Sequence, residues 1–298
     1  MKSHTPLDEH GQPLNSRFNR LRNQAKSLHT LMGILQGVVA DTKLNEAELL
    51  FLGQWLRTQQ GLFEDGDAID LLDLISDVLK DDLITAAELD DLKNLINDII
   101  DYKSVEDVGD EDRINELLGL LAGISSDDRL VDLEIEKLID WINGNEDISG
   151  EWPIYVLVER INQIIDDGVI TQEERNNLLD IIKRISGQAF TDTGSADLLS
   201  TDFLEEEVEM FDHEGTHICF TGKFISGTRD TVQKKARQLG AVIKRDVTRS
   251  LDVLVIGIET SRDWRFTSYG RKIEKALNLK KEGHNIIIMS ERVWVDFL

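Results

Sequence analysis

The sequence predicts two domains of different class: an all-α domain of helical hairpins, followed by an α/β domain with a four-stranded parallel sheet flanked by helices. Two observations lead to this prediction. A helical repeat of 40 to 46 residues runs through the first part of the chain, and strands alternate with helices after residue 214. Charge divides the chain at nearly the same place. Residues 213–298 hold 16 Lys and Arg against 10 Asp and Glu, whereas residues 1–212 hold 17 against 47.

Composition limits the classes of protein to consider. Hydrophobic residues make up 41% of the 298, which is enough for two cores. The first residues contain no apolar signal-peptide core, and no apolar run approaches the ~20 residues that span a bilayer, so we expect a soluble cytoplasmic protein. The single cysteine, Cys219, excludes an internal disulfide and a multi-cysteine zinc site. Its place in "HICF" predicts a buried strand residue.

Four stretches of the first part share one frame: "ADTKLNEAEL" (40–49), "KDDLITAAEL" (80–89), "SDDRLVDLEI" (126–135) and "DDGVITQEER" (166–175). In each, an Asp is followed three residues later by Leu or Ile and seven residues later by Glu. Three frames place a capping residue three positions before the Glu, in the pairs Asn45–Glu48, Thr85–Glu88 and Thr171–Glu174. The third frame has Val131 there. We therefore expect about eight helices between Asn15 and Ser186, paired as hairpins.

The acidic turns also suggest a calcium loop, which needs oxygen ligands at its positions 1, 3, 5 and 12. With Ile170 at position 8, Asp167 and Glu174 fit positions 5 and 12, but positions 1 and 3 are Gln163 and Ile165. None of the four frames has the full set. Capping explains the Asp and Glu without a metal, and we predict no metal ligand; a divalent-cation site is the alternative.

The stretches "GVVADTKLNEAELLFLGQWL" (37–56) and "DDGVITQEERNNLL" (166–179) resemble the TerB-like family. The resemblance covers residues 31–186 and implies an all-helical scaffold that serves as an interaction or sensing module. Residues 1–30 are then an N-terminal tail and first helix. Residues 187–213 lack a clean period and are predicted to be an acidic linker.

From residue 214 the pattern is that of an α/β domain. Strands are predicted at "HICFT", "AVIK", "LDVLVIG" and "NIIIMS", and helices at "TRDTVQKKARQLG", "YGRKIEKALNLKKEG" and "ERVWVDFL". Ligands of open α/β sheets bind where strands end and helices begin. Thr221 and Gly222 end the first strand, Arg229 opens the first helix and Lys272 opens the second. A hydroxyl, a backbone N–H and two cations can together bind a phosphate. The alternative is that Thr-Gly forms only a turn.

The same segment resembles a BRCT domain. The matching motifs are "FTGKF", the Arg of "GTRD", "ARQLGAVIKRDVT", "LDVLVIG", "GRKIEKA" and the late Trp of "ERVWVDFL", and they cover residues 214–298. The match is closest to the single BRCT domains of bacterial NAD-dependent DNA ligases and of the large subunit of replication factor C. The resemblance places the family's phosphate-binding residues on Thr221, Gly222 and Lys272, and the Arg of its DNA-end-binding members on Arg229. It implies that Trp294 is a core residue.

Further cations surround these positions, and the loop "SRDWRFTSYG" (261–270) adds the aromatic residues Trp264, Phe266 and Tyr269. Cations interleaved with aromatics can track a nucleic-acid backbone and stack on its bases. The predicted nucleic-acid-binding residues are Lys223, Lys244, Arg245, Arg249, Arg262, Trp264, Arg265 and Arg271. The alternative for Trp264 is that it packs on the sheet.

The sequence thus predicts a non-enzymatic adaptor without a cofactor, since it contains no KxDG, GxSxG or P-loop motif. By resemblance, its BRCT domain binds phosphate on DNA 5′ ends or nicks, and its helical domain binds a protein partner. The alternative is a phosphopeptide-binding or protein-pairing scaffold in a DNA-repair or stress-response complex.

Overall fold

The computed structural model describes residues 20–80, 84–103, 108–151, 153–165, 170–196, 198, 208, 210–222, 224, 226–257 and 271–298. Of Arg20, Gln60 and Ile165 it describes the backbone alone. The chain divides into two compact units, with the boundary between Leu198 and Leu199. Within the described ranges, no helix is long and apolar enough to cross a membrane.

The first unit is helical. Its elements are α1 (Arg20–Val38), α2 (Glu46–Thr58), α3 (Gly66–Val78), α4 (Ala86–Lys103), α5 (Asp110–Ile124), α6 (Asp132–Gly144), α7 (Ile154–Ile165), α8 (Gln172–Ser186) and the short α9 (Phe190–Thr193). The described part of residues 15–186 thus contains eight α-helices, as the repeat predicted.

The predicted capping boxes start three of these helices. Glu48 Oε2 accepts a hydrogen bond from Asn45 N at 2.8 Å, and Asn45 Oδ1 accepts one from Glu48 N at 3.1 Å. Thr85 and Thr171 make the same reciprocal bonds with Glu88 and Glu174. At the start of α6 the box is half formed, because Val131 has no side-chain acceptor. Glu134 Oε2 still accepts from Val131 N, at 2.7 Å.

The helical unit consists of two halves with equivalent structure, α1–α4 and α5–α8. Residues that lie 86 positions apart occupy equivalent places in the two halves, and α2 and α6 correspond end to end. The equivalent pairs include Gly37 and Gly123, Glu48 and Glu134, Trp55 and Trp141, Thr85 and Thr171, and Ile99 and Ile185. The fourfold hairpin repeat is therefore nested in a twofold repeat of longer period.

The halves join where α1 crosses α5, through glycines. A Cβ atom added to Gly33 would lie 1.8 Å from Glu116 O, and one added to Gly119 would lie 2.1 Å from Thr30 O. Gly37 and Gly123 face each other in the same way, so the two helix backbones are in direct contact. Glycine is required at such positions because it has no side chain to separate the backbones.

The helical unit extends beyond both boundaries indicated by the sequence. Helix α1 runs from Arg20 and crosses the boundary drawn at residue 30. After α8, Gly187 adopts a positive φ of 74°. The ring of Phe190 then packs edge-on against Phe51 at 5.8 Å, and Leu198 is buried. Apolar side chains are sparse after residue 186, which is why the sequence suggested a linker.

The second unit has the elements β1 (His217–Thr221), α10 (Arg229–Gln238), β2 (Val242–Lys244), β3 (Val253–Ile256), α11 (Arg271–Lys281), β4 (Ile287–Ser290) and α12 (Glu291–Val295). Its strands form a parallel sheet in the order β2-β1-β3-β4. Phe220 and Trp294 pack edge-on in its core at 5.1 Å, and Cys219 is buried as predicted. This architecture confirms the predicted fold class.

Candidate phosphate site

The strand order creates a crevice at the carboxyl ends of β1 and β3. The chain leaves β1 toward β2 on one side and then crosses to β3 on the other side. In open α/β sheets, ligands bind at this kind of reversal. Thr221 is the last residue of β1 and pairs with Ile256, the last residue of β3. The Thr221–Gly222 dipeptide predicted to bind phosphate therefore lies at the crevice.

Gly222 makes the turn out of β1. Its φ is 84°, in the region that L-residues with a side chain rarely adopt. Thr221, which precedes this turn, is 7% exposed. The turn thus needs glycine for its conformation.

Arg229 approaches the same turn from the first position of α10. Thr228 caps this helix by accepting a hydrogen bond from Thr231 N at 3.2 Å. The guanidinium Nη2 of Arg229 donates to Gly222 O at 3.0 Å. A guanidinium has five N–H donors, and this bond uses one of them. Arg229 thus stabilises the turn and brings a positive charge to it.

Lys272 reaches the end of β1 from the first turn of α11. Its Nζ donates to Phe220 O at 3.4 Å. Burial raises the pKa of the Cys219 thiol, whereas the charge of Lys272, a hydrogen bond from Lys272 and the charge of Arg229 lower it. The two cations therefore act on one point, the carboxyl end of β1. The structure brings all four predicted phosphate-binding residues together there.

An acidic side chain limits the positive charge of this region. Asp246 Oδ2 accepts a hydrogen bond from Lys275 Nζ at 3.0 Å. Burial raises the pKa of Asp246. Hydrogen bonds from Lys275 and Val247 N and the charges of Lys275 and Lys272 outweigh this effect, so the pKa lies below its ordinary value. Asp246 is thus held ionised, and Lys275 is engaged in an ion pair.

The loop that follows Gly222 is supported by residues that the sequence did not single out. Phe224 is buried and packs edge-on against Phe220 at 5.7 Å. Ser226 N donates to Glu291 Oε1 at 2.6 Å, and Glu291 is 2% exposed at the start of α12. A carboxylate at a helix start is usually explained by the helix dipole. The sequence therefore contained no signal that Glu291 bonds to a loop 65 residues earlier.

The predicted nucleic-acid-binding residues are divided by the structure. Lys244 ends β2, Arg245 follows it and Arg271 opens α11, so these three lie at the same edge of the sheet as the candidate phosphate site. Arg249 precedes β3 and lies at the opposite edge, where its Nη2 is 3.5 Å from Glu282 Oε2. Lys223, Arg262, Trp264 and Arg265 fall outside the described residues.

A metal site has no support in the described part of the chain. No group of three or more His, Cys, Asp or Glu side chains there could hold a metal ion. Of the frames considered for calcium, Asp81 and Asp167 lie outside that part.

Comparison with known proteins identifies the second unit. The family model for the BRCA1 C Terminus (BRCT) domain matches residues 212–294. A DNA ligase from Borrelia garinii subsp. bavariensis is 36% identical over 93 residues, which are 30% of this chain and 12% of the ligase. No solved structure matches the chain. The matched ligase segment, the parallel sheet and the buried Trp294 agree with the match to the family model. Residues 212–294 of this protein form a BRCT domain.

Proposed function

We propose that the protein is a non-enzymatic adaptor whose BRCT domain binds a phosphate group, in the first instance the 5′ phosphate of a DNA end or nick. One observation carries this proposal: Thr221, Gly222, Arg229 and Lys272 converge at the carboxyl end of β1, beside the crevice of the sheet. BRCT domains generally bind phosphorylated partners, DNA or proteins.

Each of the four residues has a distinct role in the proposed complex. The Thr221 hydroxyl and the Gly222 N–H donate hydrogen bonds to phosphate oxygens. The Lys272 ammonium neutralises charge, and Arg229 adds further N–H donors. The start of α10 contributes the favourable end of its helix dipole.

DNA is the preferred ligand because cations continue along the same edge of the sheet. Lys244, Arg245 and Arg271 extend the positive surface beyond one phosphate, as a nucleic-acid backbone requires. The matching ligase segment supports the same choice.

A phosphopeptide is the second candidate ligand, and one observation favours it. Arg249 lies at the far edge of the sheet beside Glu282, and Lys275 is paired with Asp246. The basic surface described here is therefore smaller than the sequence suggested, which suits a compact ligand.

The helical unit is proposed to be the interaction or sensing part of the adaptor. The loose resemblance of residues 31–186 to the TerB-like family and the strongly acidic composition of residues 1–212 support this role. Its partner would be a protein.

Fluorescence anisotropy with one DNA duplex, its 5′ end phosphorylated or not, tests the proposal at two salt concentrations. In the full-length protein, we expect the phosphate to tighten binding by about 1–3 kcal/mol, the scale of a few charge-assisted hydrogen bonds. Lys272→Ala should abolish that difference. Lys234→Ala is the matched control, because Lys234 is exposed and pairs with Asp230 on α10.

If the affinity is indifferent to the phosphate and only falls with salt, the DNA-end proposal is wrong. A phosphoserine peptide and its unphosphorylated form then test the second candidate with the same variants.

A further inference from the structure

Two equivalent loops of the helical unit meet where its halves join. Residues 39–45 connect α1 to α2, and residues 125–131 connect α5 to α6; we refer to them as the loop pair. Thr42 and Asp128 lie at equivalent positions and have φ angles of 66° and 63°. Asn45 Nδ2 donates to Asp127 Oδ2 at 3.0 Å, so the two loops are hydrogen-bonded to each other.

Two carboxyl groups are buried at this junction. Glu48 is 2% exposed and Glu134 is 3% exposed. Glu88 stands at the equivalent position of another hairpin and makes the same bond, accepting from Thr85 N at 2.8 Å, but it is partly exposed. One capping motif thus occurs in two environments, inside the joined halves and at the surface.

The charges that act on the buried pair are unfavourable to ionisation. Burial raises the pKa of Glu48 to about 9; the hydrogen bond from Asn45 N opposes the rise, and the charges of Asp127, Asp41 and Glu134 add to it. Burial raises the pKa of Glu134 to about 8, with Asp127 and Asp41 again adding to it. At Glu88, hydrogen bonds from Thr85 lower the pKa instead.

Cations from neighbouring elements bond to the loop pair at other atoms. Lys93 of α4 donates to Thr42 O at 3.1 Å, and Arg175 of α8 donates to Leu130 O at 3.3 Å and to Asp132. Lys183 of α8 bonds to Asp128, and the charge of Arg129 acts on Asp127. These bonds occupy loop carbonyls and other carboxylates, so they stabilise the loops without supplying a counter-ion to Glu48 or Glu134.

We propose that the loop pair is a proton-sensitive junction, in which the folded helical unit holds Glu48 and Glu134 as neutral carboxylic acids and their ionisation loosens the contact between its halves. The neutral acid keeps the capping bond, because its carbonyl oxygen still accepts from the backbone N–H. Ionisation adds a negative charge beside Asp41 and Asp127 in a site with little water.

The sign of the effect follows from linkage. Between pH 4.5 and about 8–9, the folded state retains two protons that the unfolded chain has lost. The free energy of unfolding of the helical unit therefore falls as pH rises through this window. Below pH 4.5 both carboxyl groups are protonated in the folded and the unfolded state, so they add no further pH dependence to the free energy of unfolding.

Two backbone amides of the wild-type protein report on the junction directly, because Asn45 N and Val131 N donate to the two carboxyl groups. In the ¹⁵N-labelled full-length chain, their chemical shifts should titrate with midpoints of about 9 and about 8. The Thr85 amide is the internal control, and its shift should follow Glu88 with a midpoint below 4.5. If the Asn45 and Val131 amides titrate only in acid, the proposal is wrong.

Urea unfolding of the full-length chain, followed by far-UV circular dichroism, tests the loosening itself. The wild-type urea midpoint should fall as pH is raised from 6 to 9. Glu48→Gln with Glu134→Gln should reduce that fall, because an amide cannot ionise, whereas Glu88→Gln should leave it unchanged. A double variant that keeps the wild-type pH dependence would contradict the proposal, and the amide titration decides the matter if that variant does not fold.

Discussion

At the scale of single residues, the proposed phosphate site depends on a turn as much as on its cations. Arg229 bonds to the carbonyl of Gly222, and Lys272 bonds to that of Phe220. Both cations are thus oriented by the backbone at the end of β1 before a ligand arrives. A change in the path of that backbone should therefore affect binding even when every charge remains.

Gly222→Ala tests this dependence. The φ of 84° strains any residue with a Cβ atom, at a cost of about 1–2 kcal/mol. We expect the variant to lose discrimination between phosphorylated and unphosphorylated DNA ends, measured by fluorescence anisotropy.

Gly283→Ala is the matched control for that variant. Gly283 has a φ of 91°, and an added Cβ would meet nothing within 4 Å. It should therefore lower the thermal stability of the BRCT domain by a similar amount and leave binding unchanged. Equal binding by the wild type and Gly222→Ala would show that the turn is not part of the site.

At the scale of elements, what the sequence made predictable was local. Strand and helix periodicity and three capping boxes depend on residues within one turn or one hairpin, and the structure contains them. The burial of Glu48 could not be predicted in this way. Glu48 has the same local capping motif as Glu88, and the difference in burial between the two residues arises from the crossing of α1 with α5. The position of Arg249 was predictable in principle, because residues before and after parallel strands lie at opposite edges.

The close contact of α1 and α5 can be tested by a substitution at their crossing. Gly119→Ala should destabilise the helical unit by about 2 kcal/mol, because overpacking costs ~1–3 kcal/mol and exceeds the gain in helix propensity. The added Cβ would lie 2.1 Å from the backbone oxygen of Thr30. Urea unfolding followed by circular dichroism measures the effect.

Gly66→Ala provides the comparison on another helix. Gly66 opens α3, and a Cβ there would meet nothing within 4 Å. This variant should be neutral or more stable by up to ~1 kcal/mol. If Gly119→Ala behaves in the same way, the close contact of the two helices does not exist in solution.

At the scale of the whole molecule, the chain combines two units with separate cores, and the net positive charge belongs to residues 213–298. The BRCT domain was identifiable from its motifs because they are spread over the whole segment in a fixed order. The twofold repeat of the helical unit was present in the sequence as well, in the spacing of Gly37 and Gly123 and of Trp55 and Trp141. The shorter Asp–Leu–Glu frame concealed it, since that frame recurs within each half.

The constant spacing of 86 positions has a practical consequence: one half can serve as a design template for the other, residue by residue. Asn45 completes its capping box with Glu48 and also bonds to Asp127. Its counterpart Val131 has no polar side-chain atom, so it can neither accept from the backbone N–H of Glu134 nor donate to Asp41. Transplanting the amide as Val131→Asn should raise the free energy of unfolding by ~1 kcal/mol, the usual value of a helix cap. An unchanged urea midpoint would mean that the halves, although equivalent in backbone, have diverged too far to exchange side chains.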